Sequence, residues 1–76
     1  MKTKSFDFIL AFAEAIDREA NLIQVEDSFR DYDEWDSVAL LSLVAMLDDN
    51  YGINIPREIF ERLDTIQDLI NEVNKS

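Results

Sequence analysis

The sequence predicts an all-α domain, a small four-helix bundle of three longer helices and one short one, with a long loop between helices 1 and 2. Three stretches set apolar residues at helical spacing, and Gly52 and Pro56 punctuate the boundary between the second and third helices. The alternating stretch Ile53-Asn54-Ile55-Pro56 is too short to make a convincing strand.

In the first stretch Phe6, Ile9, Leu10, Ala13 and Ile16 recur on one helical face, with Asp7, Glu14, Asp17 and Arg18 mainly on the other, which predicts a helix over 4–18. After Asn21 the pattern breaks into a polar segment carrying isolated large apolar residues. This predicts an ordered loop pinned by Val25 and Phe29 together with Tyr32 or Trp35. Asp36 or Ser37 then offers a side-chain oxygen to the free amides of a second helix over 37–50, which turns Val38, Leu41, Val44, Ala45 and Leu47 inward until Gly52 stops it. Pro56 suits the first turn of a short third helix reaching about residue 62. Thr65 caps the last helix, whose buried stripe is Ile66, Leu69, Ile70 and Val73. No repeat, low-complexity run or Gly/Ser linker divides the chain, so one domain is expected over 1–76.

Composition narrows the function. A 76-residue chain has room for one small core and too little for a substrate-sized cavity behind a rigid wall, so a binding or carrying module is expected rather than an enzyme. Its hydrophobic fraction of 47% is that of a folded domain, on which the 17 Asp and Glu are a surface feature. A net charge of -10 repels nucleic acid and anionic lipid and attracts basic protein patches. There is no basic-then-apolar leader and no apolar run near the roughly 18 residues of a membrane span. A soluble cytoplasmic protein without membrane insertion, acting as a monomer, is expected. With no His and no Cys, the pairs that activate a nucleophile and the thiolate or imidazole metal sites are unavailable. The acids Asp31, Asp33 and Asp36 open like a calcium loop, but Asp36 stands at the required Gly and Ser42 at the closing Glu, so no metal site is expected.

The stretch Glu34-Trp35-Asp36-Ser37-Val38 sets one hydroxyl at the start of a strongly apolar run. In an arbitrary protein an Asp-Ser pair before a helix is most often an N-cap. Here Ser28-Phe29 through Asp36-Ser37-Val38, then Tyr51-Gly52-Ile53-Asn54-Ile55-Pro56, then Asp64-Thr65-Ile66, resembles in order and spacing the acyl carrier protein family over about residues 25–73. The resemblance implies that Ser37, the serine of the Asp-Ser-Leu motif, receives a covalent 4'-phosphopantetheine arm from coenzyme A. It further implies that the arm carries acyl groups as thioesters, with fatty acid biosynthesis the expected setting. This chain departs from the family in Glu34, where Gly is common, and in Val38, where Leu is common. A Gly permits a left-handed backbone, so Glu34 implies a different local turn or a strained one.

The resemblance also implies partners: a phosphopantetheinyl transferase, and acyl-activating and acyl-transferring enzymes with basic docking patches. The residues expected to meet them are Asp36, Asp48 and Asp49, with Leu40, Ser42 and Met46 as an apolar docking strip, although the acids equally compose a solvated face and Leu40 and Met46 equally reach the core. Leu41, Val44, Leu47, Ile55, Ile66 and Leu69 read as core and, in a carrier of fatty chains, as the lining of an acyl cleft. The aromatics Phe6, Phe12, Phe29, Tyr51 and Phe60 are candidates to fill that cleft and favour short or polar cargo. A D-alanyl or other aminoacyl or peptidyl carrier is the near alternative, and an unmodified acidic adaptor the distant one.

Overall fold

A computed structural model describes residues 3–75. Its helices are α1 (Ser5–Ile16), α2 (Ser37–Tyr51), the single-turn α3 (Arg57–Phe60) and α4 (Ile66–Lys75), and among the described residues there is no strand. The bundle is all-α with three long helices, as the sequence predicts.

The buried face of α1 is Phe8, Phe12, Ala13 and Ile16, while Phe6 is 70% exposed and Leu10 also faces solvent. The helix carries two overlapping apolar stripes, and the aromatic one turns inward. Phe8 and Phe12 lie 6.1 Å apart, Phe8 stacks on Tyr51 at 6.2 Å, and Phe12 meets Phe29 edge-on at 6.4 Å. Three ring contacts outweigh what Phe6 and Leu10 could bury. The helix closes at Asp17, left-handed at φ 60°, with its amide donating to Glu14 and that of Arg18 to Ala13, the paired bonds of a Schellman turn.

Helix α2 also turns a different face from the one the periodicity suggested. Ala39, Leu43, Met46 and Leu47 are buried, whereas Val38, Leu41, Val44 and Ala45 are exposed. Residues 38–47 are apolar on nearly every side, so their spacing defines no face. The small Ala39 and the fully buried Leu43 set the face that packs into the core. Gly52, at φ 64°, ends the helix, its amide donating to the Asp48 carbonyl at 2.9 Å.

The loop between α1 and α2 contains 3-10 turns at Ala20–Leu22 and Phe29–Asp31. Phe29, Tyr32 and Ile23 are its buried anchors, with Val25 and Trp35 half-buried. A short antiparallel bridge of Ser28 to Thr65 fastens it to the start of α4, reinforced by Phe29 N–H to Asp64 and Ile66 N–H to Asp27. Thr65 caps α4 by accepting from the Asp68 amide at 3.1 Å, and Asp68 returns the favour to the amides of Thr65 and Asp64. Ile66, Leu69, Ile70 and Val73 are all buried, as their spacing predicts.

Candidate functional site

The chain enters α2 through a turn in which the Trp35 amide donates to the Tyr32 carbonyl at 3.0 Å. Asp36 is extended, and its side chain accepts from the Ala39 amide at 2.8 Å while its carbonyl accepts from Leu40 at 3.0 Å. Asp36 is therefore the N-cap, settling a choice the sequence left open between it and Ser37. Ser37 becomes the first residue of the helix, exposed, and among the described residues its hydroxyl is tied by no hydrogen bond. The amides of Ser37 and Val38 are likewise unpaired there and face the entrance of a fifteen-residue helix. Free amides and the positive end of a helix favour an anion bonded to that hydroxyl.

Alongside α2 runs a groove of about 620 Å³, walled by Leu40, Leu41, Val44 and Leu47 on one side and by Ile53, Ile55, Pro56 and Phe60 on the other. Arg30, Asn54, Arg57 and Glu61 are its polar members. Leu40 and Leu41 stand three and four positions after Ser37, so the lining begins about one helical turn along α2 from the hydroxyl. Leu41, Val44, Leu47 and Ile55 thus line a cleft as the sequence suggested, but Leu41 is a wall and not core at 69% exposure, and Ile66 and Leu69 lie in the core. Of the five aromatics expected to fill the cleft, Phe60 lines it; Phe12 and Phe29 are core, Tyr51 stacks on Phe8, and Phe6 faces solvent. Phe60 also stacks on Trp35 at 6.4 Å, which joins the groove wall to the turn carrying Ser37.

Asp36, Asp48 and Asp49 are exposed at the two ends of α2. Between them the apolar strip differs from the expected one. Met46 is 8% exposed and packs in the core, Leu40 and Ser42 are half-buried, and the large apolar residues that reach solvent are Val38, Leu41 and Val44. Met46 lies one turn from Leu43 and beside Leu47, so the face that buries those leucines buries it too.

Glu34 shows no left-handed strain, since Asp17 is the non-glycine residue with positive φ among those described. Its carboxylate instead receives Arg18 Nη1 at 2.8 Å. The guanidinium lies over the Tyr32 ring at 4.1 Å, and the Tyr32 hydroxyl donates to Asp27 at 2.8 Å. Glu34 is held below the usual carboxylate range by its own backbone amide and by Arg18. Burial, then the Asp27 carboxylate, pushes the Tyr32 hydroxyl well above the ordinary phenol range. Spacing alone gave no sign of this cluster, because Arg18 and Glu34 are sixteen positions apart. The departure from Gly at Glu34 was the one signal that pointed to it.

The family model for a phosphopantetheine attachment site matches residues 8–73. An acyl carrier protein of Micrococcus luteus is 29% identical over 72 residues, covering 90% of this chain and 89% of the relative. One from Myxococcus xanthus is 30% identical over 69 residues, covering 86% and 87%. Among solved structures, the solution NMR structure of a holo acyl carrier protein from Geobacter metallireducens superposes with a TM-score of 0.79 at 26% identity, covering 96% of this chain and 85% of that one.

Proposed function

We propose, because the chain belongs to the acyl carrier protein family with its phosphopantetheine attachment site, that Ser37 is the residue bearing the arm and that the protein carries acyl groups between enzymes. The chain is a carrier and not a catalyst, and its prosthetic group is a covalently attached phosphopantetheine. One observation supports Ser37 above all: Asp36 takes over the capping bond and leaves the neighbouring hydroxyl exposed at the mouth of the helix. Modification replaces the hydroxyl proton with a phosphodiester bond from Ser37 Oγ, the bond broken being the pyrophosphate link of coenzyme A and the adenosine bisphosphate half leaving, with the transferase supplying the base that takes the proton. The arm supplies a terminal thiol that holds the cargo as a thioester.

The residues of the chain then orient and shelter. The free amides at Ser37 and Val38 would hold the phosphate of an attached arm, while the exposed Asp36 beside Ser37 has like charge and serves as cap and partner contact. The groove along α2 takes the apolar part of the cargo. Val38, Leu41 and Val44, between Asp36 at one end and Asp48 and Asp49 at the other, make the surface that meets the transferase and the acyl-handling enzymes. We place the protein as a stand-alone, single-domain, monomeric carrier of the cytoplasm, in acyl-chain metabolism such as fatty acid biosynthesis.

Intact mass after incubation with coenzyme A and a phosphopantetheinyl transferase tests the assignment. One arm on the wild type, mapped to the peptide with Ser37, and none on Ser37→Ala is the expected result. An unchanged wild-type mass returns the protein to the class of unmodified adaptors. Loading by an amino-acid-activating enzyme in preference to an acyl-activating one moves the cargo to the aminoacyl class.

A further inference from the structure

We propose that the ion pair of Arg18 and Glu34 is a positioning device for the attachment turn, holding the backbone before Asp36-Ser37 so that the seryl hydroxyl meets the transferase in one orientation; this rests on the reading of Ser37 given above.

Glu34 stands two residues before the capping Asp36, so whatever holds Glu34 sets the path into the helix. Arg18 holds it from a fixed point. The left-handed closure of α1 at Asp17 dictates where Arg18 leaves the helix, and the Arg18 amide is itself bonded to Ala13 at 2.9 Å. From there the guanidinium reaches Glu34 at 2.8 Å and the Leu22 carbonyl at 3.4 Å, with its plane over the Tyr32 ring. One side chain thus ties three points of the loop. Its side chain is 19% exposed, and Arg18 Nε is buried without a hydrogen-bond partner among the described residues, a cost that is tolerated where the other contacts demand the placement. Trp35 packs edge-on against Phe29 at 4.9 Å, so each of the two residues ahead of Asp36 has its own anchor.

The pair is dispensable to the core. Ile23 and Phe29 anchor the rest of the loop, and backbone bonds to Asp64 and from Ile66 fasten it to α4 without Arg18. Loss of the pair therefore loosens the segment leading to Ser37 and leaves the bundle standing. The docking surface on α2 is also untouched. Positioning and docking should then separate kinetically: the pair governs the rate of arm transfer inside the complex, and the α2 surface governs its affinity.

The test is single-turnover arm transfer from coenzyme A, with the transferase titrated in excess over apo carrier, at a temperature where every variant is folded. Glu34→Gln and Arg18→Met should each slow the maximal rate about tenfold with half-saturation unchanged, as expected for a misplaced reacting atom. Arg18→Lys, which keeps a cation on Glu34 and over the Tyr32 ring, should recover part of that rate. Wild-type rates in Glu34→Gln and Arg18→Met, or rate losses that track melting temperature and are no smaller in Arg18→Lys, overturn the proposal. If the wild type itself gains no arm, the reading of Ser37 fails separately. Amide hydrogen exchange over residues 35–39 then decides for the pair: faster exchange in Glu34→Gln sustains it, and unchanged exchange overturns it.

Discussion

At the scale of single residues, Asp36 and Ser37 divide two tasks that the sequence could not assign separately, because both are good N-cap residues and either oxygen could reach the same amides. The structure gives the bond to Asp36. Ser37→Ala should accordingly abolish arm attachment while shifting stability by less than about 0.5 kcal/mol, the range of an exposed substitution that breaks no contact. Asp36→Ala should cost about 1 kcal/mol in urea unfolding through loss of the cap. Equal losses in the two variants would mean that the serine shares the capping bond. Asp68 is a second capping carboxylate, held below its usual range by the amides of Thr65 and Asp64. A depressed folded value means stabilisation that is complete above the unfolded carboxylate range, near pH 4, and is lost as pH falls through the lower folded value. Melting temperature should therefore fall on acidification below about pH 4, and Asp68→Asn should flatten part of that acid limb. An unchanged limb in the variant would assign the loss to other carboxylates.

At the scale of elements, legibility followed how unevenly the apolar residues are distributed around each helix. Helix α4 has one apolar stripe against a polar remainder, and its four inward residues were readable from spacing. Helix α1 has two stripes, and ring-to-ring contacts from Phe29 and Tyr51, distant in sequence, selected the one that is buried. Helix α2 is apolar nearly all round, so spacing alone could not separate Met46, which is core, from Leu41 and Val44, which wall the groove. Its starting residue was legible from cap chemistry, and so was the candidate site. The two classes should respond oppositely to mutation. Met46→Ala should cost about 2–3 kcal/mol in denaturant unfolding through the cavity it leaves, with little change in affinity for the transferase. Leu41→Glu should leave the unfolding midpoint close to that of wild type and weaken that affinity about tenfold, the loss of a residue near the centre of an interface. A destabilised Leu41→Glu with intact affinity would place the docking surface elsewhere.

At the scale of the whole molecule, ten uncompensated negative charges sit on a body whose radius of gyration is 11.1 Å. Among the described residues three acids, Glu34, Glu61 and Glu72, pair with Arg18, Arg57 and Lys75. Arg30 donates to the carbonyls at the end of α3. The Arg57 and Lys75 pairs are exposed and contribute little. The remaining acids repel across distances set by the screening length, about 30 Å at 0.01 M salt and about 10 Å at 0.1 M. At the lower salt every charge acts on every other; at the higher, each acts on its neighbours. The melting temperature of the apo protein at neutral pH should therefore rise between these two concentrations. Partner binding should respond in the reverse sense, since screening that relieves self-repulsion also weakens attraction between Asp36, Asp48 and Asp49 and a basic patch. The response should be shallow, because residues 37–47 carry no charge and the large exposed side chains of that stretch, Val38, Leu41 and Val44, are insensitive to salt. Measuring transferase affinity across the same salt range, for wild type and for Asp48→Lys, separates the two contributions. A steep fall in wild-type affinity that the reversal abolishes would make the acids the dominant contact and the apolar strip a spacer. A nearly flat response in both would make the strip the main binding surface.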